Sequence, residues 1–411
     1  MEEAQRAHTF ADLPGALLVL VFLLVPVDTR MRFAEVCRKW RATLLAETRL
    51  WTTLDVSRAA RLDKRPTEAM LSAAVRRADG QLVRLDIDDV DVDQLGISAL
   101  LRALTPSAAS LRELHIRVKD YCFEEFNVSG EKVRELVGAL PSLTRVVCGV
   151  SADATEALPL LRAEPPFGAL ALRGLHLKAA RSMTLETWHA VCSATVVCPS
   201  MEALHLSLAR LNPPEAAVVV DAALSRRLKR VRLTACPLSV ESMSAFARLL
   251  REGVLEVLAF RSPITLPLGE LAPALRASTT LQSLTLFRVG LWRDVHAGAA
   301  LLEALIAHPT LRNLDLTFNV LANEADGHVA GAALAALVEA NSPALMSLNL
   351  STSGFRDATL APLLAALHVN TRLRELNILV NEPSHAFTRD VLEPAKRAAR
   401  ARAQPLQIIS Y

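Results

Sequence analysis

The chain has 411 residues, 51% hydrophobic but only 4% aromatic, so a large and mainly aliphatic core is available and a disordered polyelectrolyte is excluded. Lys and Arg number 46 against 43 acids, a net charge of +3, too balanced for a general nucleic-acid-binding surface. The six cysteines contain no C-x-x-C pair; neither a zinc ribbon nor a disulfide framework is expected, and a reducing compartment, cytoplasmic or nuclear, follows.

In chain order, the first notable segment is Leu13 to Val27, uncharged throughout. It falls short of the roughly 20 residues that span a bilayer. Pro14 and Pro26 bracket it, and Glu2, Glu3 and Asp12 precede it where a secretory leader needs basic residues. No membrane association is expected. The first fifty residues read as three short helices, with Pro14 in the first turn of helix one, Pro26 ending it and Asp28 capping the second. So small a unit tends to need a partner. Leu13, Leu17, Leu18, Phe22, Val36 and Trp40 exceed what three short helices cover, so part of this surface is expected to be an interface.

The same residues resemble the F-box. The family's pattern is matched by Leu13 and Pro14, Leu17 and Leu18, Val21 and Phe22, Val25 and Pro26, then Val36, Cys37, Trp40 and Arg41, then Leu50 and Trp51. Val19, Leu20, Leu23 and Leu24 depart from it, being more apolar than is usual there. That excess implies either a larger interface or a helix packed back on the downstream part of the chain.

From Trp51 onward the template L-x-x-L-x-L recurs. Copies begin at Trp51, Leu82, Leu111, Leu143, Leu172, Met201, Leu228, Leu255, Leu281, Leu311, Leu345 and Leu373, spaced 26 to 34 residues apart. Such a period signals a solenoid. Alternating apolar residues suit a half-buried strand. The Leu/Ala-rich stretches between anchors, such as ISALLRALTPSA and ALAALVEANS, suit a helix packed close on a sheet. No Gly-rich phosphate turn supports a doubly wound nucleotide fold. The pattern resembles the leucine-rich repeats that carry a helix per repeat. Asn319 with Leu321 and Cys236 with Leu238 complete the extended form, Ser353 with Phe355 offers a smaller polar group, and other turns lack it, so a broken ladder is expected. The fold class is thus α/β: an F-box over 9–50, a curved solenoid over 51–383 with about 11–12 repeats, its parallel sheet concave and its helices convex, and a capping segment over 384–411.

The resemblance implies a substrate-recognition subunit of an SCF-type ubiquitin ligase. Leu13, Pro14, Leu17, Leu18, Val21, Phe22, Val36, Cys37 and Trp40 would contact a Skp-type adaptor, and through it a cullin, while the repeats bind a target protein. A repeat scaffold or GTPase regulator whose N-terminal helices merely cap the array is the alternative. No catalytic residues and no cofactor are expected, since HExxH, GxSxG and GxxxxGK[ST] are all missing.

Residues between the template's apolar positions face the concave side. Arg145, Lys178, Arg230, Arg232 and Arg261 make its middle basic, framed by His176 and His205, with Phe287 as an exposed aromatic. This stretch is expected to receive an acidic or phosphorylated segment. His115, His176 and His205 share a template position but have no carboxylate or Cys beside them to complete a metal site, and read as surface polar residues. Segments 121–132, 164–169 and 323–329 break the period as candidate loops. The basic tail, with Arg389, Lys396, Arg397, Arg400 and Arg402, reads as an amphipathic cap, with a nuclear-import or membrane-surface patch as the alternative.

Overall fold

A computed structural model describes residues 13–25, 30, 33, 36–55, 68–88, 97–117, 128–162, 170–177, 183–263, 265–402 and 404–410. Pro26, Asp28, Lys178 and segments 121–127 and 164–169 lie outside the described residues. The chain forms two compact units, 1–175 and 176–411, and both are parallel α/β arrays.

The first unit opens with α1 (Gly15–Leu23), capped by Pro14, and α2 (Arg38–Ala46), whose N-cap is Cys37. Pro14 therefore precedes the helix rather than entering its first turn; its extended ψ of 145° redirects the chain into the helix. Between α1 and α2, Arg30, Phe33 and Val36 are helical. A 3-10 turn over Thr48–Trp51 leads into β1 (Thr53–Asp55). Next come α3 (Glu68–Arg77), β2 (Arg84–Asp88), α4 (Ile97–Leu104), β3 (Glu113–Arg117), β4 (Val128–Ser129), α5 (Gly130–Ala139), β5 (Arg145–Ala152), α6 (Ala154–Leu161) and β6 (Leu170–Leu177). The strands run parallel in the order β1-β2-β3-β5-β6, with β4 beside β5. Leu54, Leu85, Leu114 and Val146, the second apolar residue of each template copy, stand in register, all fully or almost fully buried.

The second unit repeats the motif more regularly: α7 (Leu185–Val197), β7 (Ala203–Ser207), α8 (Pro213–Arg226), β8 (Arg230–Thr234), α9 (Val240–Glu252), β9 (Val257–Arg261), α10 (Leu271–Ala277), β10 (Ser283–Phe287), α11 (Val295–Ala304), β11 (Asn313–Asp315), α12 (Gly327–Glu339), β12 (Ser347–Asn349), α13 (Asp357–Ala366) and β13 (Glu375–Asn377). Leu204, Val231, Leu258, Leu284, Leu314, Leu348 and Leu376 share one register line. Burying each of them stabilises the array by about 1.5–3 kcal/mol. Gly331 allows the tightest helix approach: a Cβ there would lie 2.8 Å from the Thr359 carbonyl oxygen and from Pro362, so α12 and α13 meet backbone to backbone.

Polar side chains stitch successive turns. Asn319 is fully buried; its Oδ1 accepts from the N–H groups of Val289 and Leu291, both at 3.1 Å, and its Nδ2 donates to the carbonyls of Leu286 (2.6 Å) and Leu316 (2.8 Å). Asn381 does the same for Ser353 and Phe355 N–H and for the Leu350 and Ile378 carbonyls, a rung the template reading missed although it stands at the same offset after Ile378. Cys236 serves with its thiol, donating to the Leu206 carbonyl at 3.4 Å. A second set of rungs, unforeseen, uses a hydroxyl just before the first anchor of three repeats. Thr280 donates to Leu255 O at 2.9 Å and Thr310 to Leu281 O at 2.8 Å in this unit, and Ser110 to Leu82 O at 2.8 Å in the first.

The described part of one expected loop, 128–132, and the whole of another, 323–329, are element boundaries. Ser129 of the first opens α5, its hydroxyl accepting from the Lys132 N–H at 3.3 Å. In 323–329, Asn323 caps a 3-10 turn that runs directly into α12. The tail is more than a helical cap. After His385–Phe387, a π turn and α14 (Glu393–Arg400), it adds β14 (Gln407–Ile409) in parallel register with β13. Pro405 and Ser410 occupy the outer anchor positions of that turn, which hid it from the template.

Candidate interaction surfaces

The N-terminal helices sort their apolar residues into an inside and an outside. Leu18 and Phe22 are fully buried. Phe22, Phe33 and Trp40 form an aromatic trio with centroid separations of 5.1 to 5.9 Å. Arg30, itself buried, ties this cluster down: its guanidinium donates to the Val25 carbonyl at 2.7 Å, to that of Leu23 at 3.2 Å, and to that of Leu50. Burial lowers its pKa, and three carbonyls are what a guanidinium needs when withdrawn from water. Trp51 is buried too, its Nε1 donating to the Leu44 carbonyl at 2.8 Å.

The outside is apolar as well. Leu17, Leu20 (58% exposed), Leu23 and Leu24 (87% exposed) lie open on α1, with Val36 nearby in sequence also exposed. Leu17, Leu20 and Leu24 fall at i, i+3 and i+7, a single helical stripe. Of the nine residues expected at an adaptor contact, Pro14, Leu17 and Val36 are exposed, Leu13, Val21, Cys37 and Trp40 are half-buried, and Leu18 and Phe22 lie inside. Cys37 has a local task besides, its Sγ accepting from the Trp40 N–H at 3.5 Å. Among the four unusually apolar positions only Val19 turns inward.

On the first unit the open face of the sheet carries a charged knot. Arg84 Nε lies 2.8 Å from Asp86, and its Nη1 lies 3.4 Å from Glu113. His115 Nδ1 is 2.6 Å from Asp86 Oδ1. This corrects the expectation that no carboxylate stands beside the template histidines: Asp86 and His115 are register partners, which a repeat alignment of their two strands would have placed together. His115 is buried rather than a surface residue, and burial lowers its pKa more than Asp86 raises it. Arg145, the basic residue expected on this unit, is exposed and in register with Glu113.

The second unit holds the remaining target-site candidates, of which Lys178 lies outside the described residues. His176 and His205 stack at 3.8 Å with an 8° interplanar angle. His176 Nε2 is 2.6 Å from Ser207 Oγ, and His205 Nε2 is 2.8 Å from Thr234 Oγ1. His205, too, is buried rather than a surface group, 9% exposed, because its ring is stacked and bonded across strands. Arg230 is exposed and 4.0 Å from Glu202; Arg232, two residues on, is 9% exposed. Arg261 holds its guanidinium 5.1 Å over the Phe287 ring. Phe287 is half-buried instead of exposed, covered by Arg261 on one side and by Phe318, at 5.1 Å, on the other. The exposed ring is Phe318, two positions beyond the last template leucine of its repeat.

Burial pushes the Cys148 and Cys192 thiols up to about 12 and Cys236 to about 11, far from a reactive thiolate. Among the described residues no group of three or more His, Cys, Asp or Glu is placed to hold a metal ion, and no helix is long and apolar enough to cross a membrane.

No family model matches the chain. The chain is similar to F-box/LRR-repeat protein 12 of Mus musculus, 27% identical over 275 residues that cover 63% of this chain and 81% of that protein. Among solved structures it is similar to the TLR13–ssRNA13 complex (18% identity, TM-score 0.35), covering 78% of this chain and 39% of that one. It is also similar to the tropomodulin C-terminal domain of Caenorhabditis elegans (12% identity, TM-score 0.26), covering 45% of this chain and 93% of that one. In sequence the chain is thus similar to an F-box/leucine-rich-repeat protein.

Proposed function

We propose that this chain is the substrate-recognition subunit of an SCF-type cullin–RING ubiquitin ligase, working in the cytoplasm or nucleus. Its N-terminal helices dock onto a Skp-type adaptor, and through it a cullin, while its repeats hold a target protein. The chain performs no bond-making itself. It converts an encounter between target and ligase into a local one, at the effective concentrations that tethering provides.

One observation carries the adaptor half. A helix of nine residues leaves Leu17, Leu20, Leu23 and Leu24 in water although its interior is already filled by Leu18, Phe22 and Trp40. Such a stripe costs solubility and repays it only when covered. The target half is supported by the cation-rich face of the second unit, whose Arg230, Arg232 and Arg261 suit an acidic or phosphorylated segment.

Capture of a purified Skp-type adaptor tests the proposal. The intact chain should retain it, and Leu20→Asp with Leu24→Asp should reduce retention at least about tenfold, as loss of hot-spot contacts does, without lowering the thermal midpoint, because neither side chain supports the core. Failure of the intact chain to bind, or retention undiminished by the pair, would leave a repeat scaffold without a ligase role. Charge reversal at Arg230 and Arg232 should separately abolish target capture while adaptor binding persists.

A further inference from the structure

We infer that the open face of the second unit reads a two-part linear motif in a partner protein: a carboxylate side chain held by Arg232 and Arg261 and, three or four residues along, a large apolar side chain seated on Phe318. The inference rests on the target-binding reading above and specifies what that face selects.

The cationic half follows from register. Arg232 pairs with Ala259, and Arg261 stands two residues beyond Ala259 on the same face. Such diagonal neighbours lie about 7–8 Å apart, and between them Ala259 contributes one small, buried side chain. Arg230 adds a third, exposed cation on the same strand. The charges are spread along the sheet, which suits carboxylates strung on an extended segment better than one compact phosphate. Arg261 is already fixed over Phe287, so less side-chain freedom is lost when a carboxylate arrives.

The apolar half follows from Phe318. Its φ of 61° is left-handed, but the same turn position in other repeats is left-handed too, with Leu208, Ala235, Arg288, Thr352 and Val380 at φ of 51–57°. The turn thus accepts many side chains, and nothing in the scaffold demands an aromatic there. Phe318 nevertheless places a ring 41% in water, packed at a 58° tilt against Phe287 and so continuous with Arg261. Strands are about 4.8 Å apart, so β9 to β11 is about 10 Å and β8 to β11 about 14 Å. An extended segment rises about 3.3 Å per residue, which yields the three- or four-residue separation. Asp315 on β11, bonded to Thr317, sets the polarity by keeping the ligand's acid toward β8 and β9.

The test is fluorescence anisotropy of the full chain with labelled short peptides. One carries a Glu-Asp pair and a Phe four residues on; others lack the Phe, lack the acids, place the Phe next to the acids, or replace the acids with phosphoserine. The two-part peptide should bind at least about fivefold more tightly than the acid-only and misplaced-Phe peptides. Phe318→Ser should remove that advantage and leave acid-only binding unchanged. Arg261→Glu, and independently the exposed Arg230→Glu, should weaken both by about tenfold, with thermal unfolding confirming the fold. Acid-only binding that equals two-part binding, or a phosphoserine peptide that binds more tightly and ignores Phe318, overturns the inference while the target-face reading stands. Absence of any acid-dependent binding, with adaptor capture intact, overturns both.

Discussion

The two units turn the same template positions to solvent and load them differently. On the first, Arg84 faces Asp86 and Glu113 while His115 leans on Asp86, so the charges cancel within the face. On the second, Arg230, Arg232 and Arg261 join a pair of stacked histidines, and the acid approaching Arg230 is Glu202 at 4.0 Å. A partner docking on the first face meets carboxylates interleaved with cations; one bearing carboxylates on the second meets an excess of cations. The polar residues most deeply buried in the second unit, Asn319 and His308 among them, bond to backbone, so its scaffold is secured from within.

The largest expected effect tests that inner scaffold. Asn319→Ala strands two N–H donors and two carbonyls in the core and should cost about 3–5 kcal/mol, read by urea unfolding. A loss below about 1 kcal/mol would mean that the turns hold without their amide rung and that the contrast between scaffold and surface is misplaced.

Acid provides the next test. His308 Nδ1 accepts from the Leu311 N–H at 3.1 Å and the Thr310 N–H at 3.4 Å, and burial lowers its pKa from 6.5. The folded histidine is therefore harder to protonate than the unfolded one. The stability it contributes is complete above pH 6.5 and declines as pH falls below that value toward the folded pKa, by at most about 1.4 kcal/mol per pH unit. His115, lowered as well, acts in the same direction on the first unit. Urea midpoints measured from pH 7.5 to 5 should show this slope, and His308→Gln should flatten the second unit's share of it.

The smallest change in stability should produce the sharpest change in the comparison. Asp86→Asn removes a partially exposed partner of Arg84 and should cost about 1 kcal/mol or less. It also removes one negative charge from the first face, leaving Glu113 beside Arg84, so that acidic peptides should gain a weak, salt-sensitive site there that Phe318→Ser does not affect. An unchanged peptide stoichiometry would show that cation excess alone does not make a binding face.

Much of this organisation was legible as text. Every copy of L-x-x-L-x-L becomes a strand or leads into one, because period-2 apolar alternation leaves a parallel strand one way to face its helix. The N-terminal block was readable from its Leu-Pro, Phe and Trp landmarks. The division within it was not: Leu17 and Leu18 are equally apolar neighbours, yet one faces water and the other the aromatic trio, since a helix rotates each residue by 100° and only packing selects the buried side. Phe287 and Phe318 show the same ambiguity. Arg30 was passed over because nothing in its neighbourhood announces that three carbonyls, one of them twenty residues away in sequence, will converge on it.

By itself, then, the amino-acid order determined the repeat, its direction of burial and the character of both surfaces, because spacing and polarity are local properties that a periodic fold copies from one turn to the next. Only the tertiary structure decided which charges meet, that Asp86 neutralises the His115 face while Arg261 lies across Phe287, and that the tail closes with a strand. These outcomes depend on residues some thirty positions apart being brought within a strand spacing of about 4.8 Å, and the register that does so is set by the whole stack.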